Sequence, residues 1–272
     1  MSDSDARTER GLDVLSTLSG SAEGGRALAR HFEGQGALGG LALRFGAGEI
    51  WSRPGLSRRD RSLVVISLLA ALARDVELRM HVAGGLNHGL RPDEIDEILF
   101  QLGLYAGLPF ALAGARIAAQ VFAERDGTAA RETPPAASEP RGDAQRRSGG
   151  LDALRTLLGM HAGAEMAPVA EATLAQLGEM GRLVIDVAFG EVWSRPQLSR
   201  RDRSLVVISV LTALSLVDEL DTHLRGALHH GVTPAEIEEV MLTAVVYAGF
   251  PRAIFGLTRA RQAFAAIGGG SP

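Results

Sequence analysis

The stretch Trp51-Ser-Arg-Pro-Gly-Leu-Ser-Arg-Arg-Asp-Arg-Ser-Leu-Val-Val-Ile-Ser67 occurs again as Trp193-Ser-Arg-Pro-Gln-Leu-Ser-Arg-Arg-Asp-Arg-Ser-Leu-Val-Val-Ile-Ser209, with Gly55 replaced by Gln197. In the same register, 142 residues apart, the match continues through Glu77/Glu219, His81/His223, Gly84/Gly226, His88/His230, Gly89/Gly231, Pro92/Pro234 and Tyr105-Ala-Gly/Tyr247-Ala-Gly. A match of this length marks a duplicated domain. Upstream, Gly11-Leu-Asp-Val-Leu echoes Gly150-Leu-Asp-Ala-Leu with a three-residue change of spacing, so each repeat unit is a whole small domain. Between the units, 126–149 is rich in Pro, Ala, Arg, Ser and Gly and reads as a solvated linker. The expected organisation is a first domain at 1–125, the linker, and a second domain at 150–272.

Helix signals dominate both units. Ser57 with Asp60, and Ser199 with Asp202, have the form of N-caps with an acid in the first turn, and helix-length apolar runs follow them. Gly89 and Gly231 read as helix stops. Thr233-Pro-Ala-Glu236 reads as a capping box with proline at the first helical position, whereas Arg91 weakens the same cap in the first unit. Sustained apolar/polar alternation is missing, and Val64-Val65-Ile66 is embedded in a helix-length pattern. The predicted fold is all-α, two tandem helical bundles.

With 46% hydrophobic and 22% charged residues, the 272-residue chain has enough apolar material for two ordinary cores. A net charge of −4 gives no concentrated positive surface for nucleic acid. The lack of cysteine removes disulfides, thiol redox catalysis and thiolate metal sites. Apolar runs such as Leu63 to Ala73 are too short to span a bilayer, and Met1 to Arg10 lacks the order of a secretory signal. No membrane partner and a cytoplasmic location are therefore expected.

On a helix, Glu77, His81, Gly84 and His88 fall at steps of four, three and four, so they share a face, and Glu219, His223, Gly226 and His230 repeat the pattern. A carboxylate one turn from an imidazole can orient the ring and raise its proton affinity, a pairing suited to general acid or base work. The glycine between the histidines is expected to leave room for a ligand. The bland alternative is a surface pair, with His88 and His230 complementing a helix dipole. Histidines seven residues apart stand about 10 Å apart along a helix, too far to share an ion unaided, so no metal is expected. Trp51 and Trp193 read as packing residues first and substrate contacts second. Arg61 and Arg203 suit either a structural ion pair or a clamp on a substrate carboxylate.

Phe189-Gly-Glu-Val-Trp-Ser-Arg-Pro, Arg203-Ser-Leu, Glu219-Leu-Asp-Thr-His223-Leu-Arg, His230-Gly-Val-Thr-Pro-Ala-Glu-Ile and Tyr247-Ala-Gly-Phe-Pro together resemble the carboxymuconolactone decarboxylase family, and the first unit resembles it almost as well. The resemblance implies AhpD-like all-α domains, cofactor-free loss of carbon dioxide from an unsaturated lactone acid, and assembly of single-domain members into rings of six. A fused pair would then form a trimer with pseudo-hexameric symmetry. Peroxidase relatives carry Cys-x-x-Cys-x-x-x-His. Aligned on the histidines, those cysteine positions fall on Arg74 and Glu77, and on Leu216 and Glu219, which excludes that chemistry here.

By the same resemblance, His81 and His223 transfer the proton, Glu77 and Glu219 orient them, and Arg61, Arg203 or Arg225 stabilise charge. His88, His230, Trp51 and Trp193 complete the expected surroundings of a small carboxylated substrate. Where the family pattern has a histidine before Gly-x-x-Trp, this chain has Phe45 and Val187, and Arg225 has Ala83 as its counterpart. Isomerisation, dehydration or ring closure of a related intermediate, and a noncatalytic binding or assembly role, are the alternatives to decarboxylation.

Overall fold

The computed structural model describes residues 3–126 and 141–268, and among these every regular element is helical. The first half runs α1 (Asp3–Ser19), α2 (Ala22–Glu33), α3 (Gly36–Leu41), a wide-turned π-helix π1 (Ala42–Trp51), α4 (Arg58–Ala71), α5 (Asp75–Asn87), α6 (Pro92–Leu102) and α7 (Leu108–Asp126). The second half repeats this order. It comprises α8 (Asp143–Leu157), α9 (Ala167–Leu177), α10 (Glu179–Leu183), π2 (Val184–Trp193), α11 (Arg200–Leu214), α12 (Val217–His229), α13 (Pro234–Ala248) and α14 (Phe250–Gly268). Helix α8 already begins at Asp143, so the C-terminal end of the segment read as linker is helical; 127–140 lies outside the described residues. No helix in the described residues is long and apolar enough to cross a membrane.

Local signals form the elements as expected from the sequence. Ser57 Oγ accepts from Asp60 N and Ser199 Oγ from Asp202 N, both at 3.0 Å, so α4 and α11 each start on a satisfied cap. Thr233 and Glu236 close a full capping box on α13. At α6 Glu94 accepts from Arg91 N at 2.8 Å, but arginine has no acceptor to return, so only half the box forms. Helices α5 and α12 stop at Gly89 (φ +94°) and Gly231 (φ +85°), which occupy the left-handed region at no steric cost.

The core centres on α4 and α11, which pack against each other; from Leu63 to Leu69 and from Leu205 to Leu211 hardly any surface remains exposed. Each is an apolar helix on nearly all sides, as a helix buried on all sides requires. The π-helices lie against α1 and α8 at glycine crossings. A Cβ on Gly48 would stand 2.1 Å from the Arg7 carbonyl oxygen, and one on Gly190 2.2 Å from that of Arg146. These backbones approach too closely for any side chain between them, and that contact places Trp51 and Trp193 at the π-helix ends.

Charged residues of the repeated Ser-Arg-Arg-Asp-Arg motif face the seam between the halves. Arg59 meets Glu94 at 2.6 Å and Asp202 at 2.9 Å, while Arg201 meets Asp60 at 2.9 Å and also Glu236. Helix α6 of the first half packs on α11 and π2 of the second, and α13 packs on α4 and π1 in return. The two bundles thus exchange contacts rather than sit side by side.

Candidate active site

Each half holds a column of rings. Trp51 at the end of π1 lies between His81 and His88, stacked on His81 with centroids 5.5 Å apart and tilted against His88 at 5.8 Å. Tyr247, from α13 of the other half, meets His81 edge-on at 5.3 Å. Its hydroxyl is 2.7 Å from Trp51 Nε1 and 3.1 Å from His81 Nε2. The second column repeats this with Trp193, His223, His230 and Tyr105, where Trp193 Nε1 to Tyr105 Oη is 2.8 Å and Tyr105 Oη to His223 Nε2 is 3.2 Å. Every tryptophan and tyrosine of the chain, two of each, is in one of these columns.

His88 and His230 are fixed at both nitrogens. Nδ1 pairs with Ser62 Oγ at 2.7 Å and with Ser204 Oγ at 2.8 Å, and Nε2 with Thr17 and Thr156 Oγ1 at 3.1 Å each. Both rings pack against the tryptophans. His81 and His223 differ: Nδ1 of each is buried with no hydrogen-bond partner. Burial, with the second histidine of each column adding to it, pushes both rings down to about 3, so they are neutral at neutral pH. An orphaned polar atom on a buried ring is costly unless something else meets it.

Several expected site residues stand elsewhere. Glu77 and Glu219 are exposed on the first turns of α5 and α12 and make no contact with the rings; His81 and His223 bond to tyrosine instead, so the orienting role assigned to the glutamates is not theirs in this structure. Helical spacing had set Glu and His on adjoining positions, but the histidines turn into the core while the glutamates remain in water. Gly84 and Gly226 leave no ligand space, since a Cβ on either would come within 2.1 Å of Leu18 or Leu157 Cδ1. These glycines admit α1 and α8.

Arg61 and Arg203 are fully buried structural cations. Arg61 binds Glu239 Oε2 at 3.0 Å and Thr243 Oγ1 at 2.7 Å; Arg203 binds Glu97 Oε1 at 2.8 Å and Gln101 Oε1 at 2.7 Å. They tie the halves together and are not free to clamp a substrate. Arg225 is exposed on α12, two residues beyond His223. Arg58 and Arg200, which carried no role in the sequence reading, donate to the Trp51 and Trp193 carbonyls, and their charge helps depress His88 and His230. Their carboxylate partners are distant, Asp13 at 3.8 Å and Asp152 at 4.0 Å. The signal for the missed tyrosines was their scarcity and their exact place in both repeats. Among the described residues no three His, Asp or Glu side chains converge as a metal-ligating group.

The two halves thus share one all-α architecture, each with a tryptophan–imidazole–tyrosine column. The chain belongs to the carboxymuconolactone decarboxylase family, which it matches twice, over 37–120 and 178–262. It is 40% identical over 116 residues to 4-carboxymuconolactone decarboxylase of Acinetobacter baylyi, covering 43% of this chain and 87% of that protein. It is 43% identical over 72 residues to the nitrosuccinic acid decarboxylase NpaB of Metarhizium robertsii, covering 26% of this chain and half of that protein.

Proposed function

We propose that the chain is a carboxy-lyase that removes carbon dioxide from a small, conjugated lactone acid of the carboxymuconolactone type, with His81 and His223 at the reacting centres. The observation that carries this reading is the unpartnered Nδ1 edge on a buried, neutral imidazole, present in both halves. Breaking the bond to the carboxylate leaves its electron pair in the conjugated lactone, whose oxygen takes up the charge. A neutral imidazole N–H directed at that oxygen stabilises it as carbon dioxide departs. The proton that replaces carbon dioxide on carbon comes from the N–H of the same ring, and solvent water returns one proton to the ring in each turnover. Arg58, Arg200 and the exposed Arg225 are the cations left to meet the substrate carboxylate, since Arg61 and Arg203 are committed to carboxylates of the protein.

Nitrosuccinic acid, named for one relative, shares the essential chemistry, a carboxylate leaving beside an electron-withdrawing group, and is the second substrate to try. Incubation of the purified chain with 4-carboxymuconolactone, following carbon dioxide release and the ultraviolet absorbance of the lactone, tests the reading. Absence of turnover by folded protein overturns the substrate assignment.

We also propose a trimer of fused pairs. Large apolar side chains are exposed at matching positions of the repeat: Leu38 and Met180 (69% and 61%), Leu41 and Leu183 (54% and 37%), Leu108 and Phe250 (66% and 58%), and Leu112 and Ile254 (59% each). Equivalent apolar patches on both halves suit a closed ring in which each half meets a neighbour in the same way. Light scattering is expected to give three chains per particle, and a monomer at micromolar concentration overturns the trimer.

A further inference from the structure

A neutral imidazole carries one proton, on Nδ1 or on Nε2, and the hydrogen-bonding neighbours of the ring decide which. In the first column Trp51 Nε1 can only donate, so the Tyr247 oxygen 2.7 Å away accepts from it. The Tyr247 hydroxyl proton then needs an acceptor of its own, and His81 Nε2 stands 3.1 Å away. Nε2 must therefore offer its lone pair, which puts the ring proton on Nδ1. The opposite tautomer would aim two N–H groups at one phenolic oxygen, strand a buried hydroxyl proton and leave the buried Nδ1 lone pair unmet as well. Trp193, Tyr105 and His223 impose the same arrangement, at 2.8 and 3.2 Å.

We infer that Tyr247 and Tyr105 are positioning residues: each reaches across from the opposite half of the chain, holds its histidine as the Nδ1–H tautomer, and turns that N–H toward the unpartnered edge of the ring. The catalytic consequence rests on the reading of these histidines as the reacting groups. The tautomer rests on hydrogen-bond geometry alone. A further consequence is that neither half contains a complete site. His81 needs a tyrosine carried 166 residues away, and His223 one carried 118 residues away.

The test is a two-bond proton–nitrogen correlation spectrum of the full chain labelled with nitrogen-15, with the two rings assigned from His81→Gln and His223→Gln samples. The wild-type protein is expected to show a protonated Nδ1 and a lone-pair Nε2 at both rings. A protonated Nε2 at either ring overturns the inference without recourse to any variant. In Tyr247→Phe the His81 pattern is expected to move toward the Nε2–H form while His223 keeps its wild-type signature, which also reports that the fold persists. An unchanged His81 pattern in that folded variant overturns the positioning role. If Tyr247→Phe does not fold, Trp51→Phe frees the tyrosine oxygen and is expected to give the same shift at His81, with no shift counting against the inference.

In a His223→Gln background that silences the second site, Tyr247→Phe is expected to lower kcat about tenfold or more, in line with the loss of a group that orients a reacting side chain, and to leave KM within about twofold. A change confined to KM overturns the catalytic consequence. Lack of turnover by the wild-type chain falls on the substrate reading, and the spectroscopic result still decides the tautomer.

Discussion

Arg61 Nη2 and Glu239 Oε2 are 3.0 Å apart at the seam of the two halves, with the arginine side chain wholly removed from solvent. The same guanidinium donates to Thr243 Oγ1 and the Arg53 carbonyl, so most of its donors are used inside the protein. Removing the arginine leaves Glu239 charged and buried, with only the more exposed Arg53 still beside it at 2.7 Å. Arg61→Met is expected to destabilise the chain by about 3–5 kcal/mol, and Arg61→Met with Glu239→Met to recover much of that loss. Urea unfolding of the three proteins is the check, and equal midpoints for wild type and Arg61→Met would show that the pair is not structural.

Stability should fall with mild acid. Burial lowers His81 and His223 to about 3, and His88 and His230 to about 4, against 6.5 for an unperturbed ring. Below pH 6.5 the unfolded chain binds these protons and the folded chain does not, so this contribution is complete above pH 6.5 and is lost as pH drops. His81 and His223 each withdraw about 1.4 kcal/mol per pH unit over that window; the partly exposed pair withdraws less. Glu239, held below 4.5 by Arg53 and Arg61 despite burial, adds its own loss at lower pH. Melting temperatures between pH 8 and pH 5 measure the slope, and His81→Gln with His223→Gln is expected to flatten it.

The proposed pair of sites in one chain predicts a distinctive activity pattern. His81→Gln and His223→Gln are each expected to remove one site and leave the other turning over, while the double variant loses about 10²–10⁴-fold, the range for a proton-transfer group. Initial rates on 4-carboxymuconolactone discriminate. Full loss in one single variant would assign all turnover to that half.

Gly84 makes a sharper case for packing over ligand space. Gly84→Ala drives a methyl into Leu18 and is expected to cost about 1–3 kcal/mol, with KM of the folded protein unchanged. A raised KM with normal stability would restore the ligand reading.

The helices and their ends were legible because their causes are local: Ser57 and Ser199 cap, Gly89 and Gly231 stop, and Thr233 boxes with Glu236, all within a few residues of chain. The site was only partly legible. Spacing of four correctly places Glu77 beside His81 on a helix, yet it carries no information on which of them faces the core. What meets His81 is decided by α13, far away in sequence, and periodicity cannot report that. The Ser-Arg-Arg-Asp-Arg run likewise resembles a solvated helix start, but beside partners in its own half it finds partners in the other, Arg59 in Asp202 and Arg201 in Asp60. The space at Gly84 and Gly226 is hidden from the sequence for the same reason, since the side chains that fill it come from α1 and α8.

The exchange of tyrosines between halves also bears on how such a protein can change. In a pair of identical chains, any substitution of the tyrosine helix would appear in both sites at once. Here Tyr247, on α13, serves the His81 column and Tyr105, in the turn after α6, the His223 column, so a substitution of either tyrosine removes the hydrogen bond of one histidine and not the other. Duplication within one chain has thereby made the two columns separately variable, and Phe189 stacked on Trp193, where the first half has Ala47 in the same register, shows that they already differ.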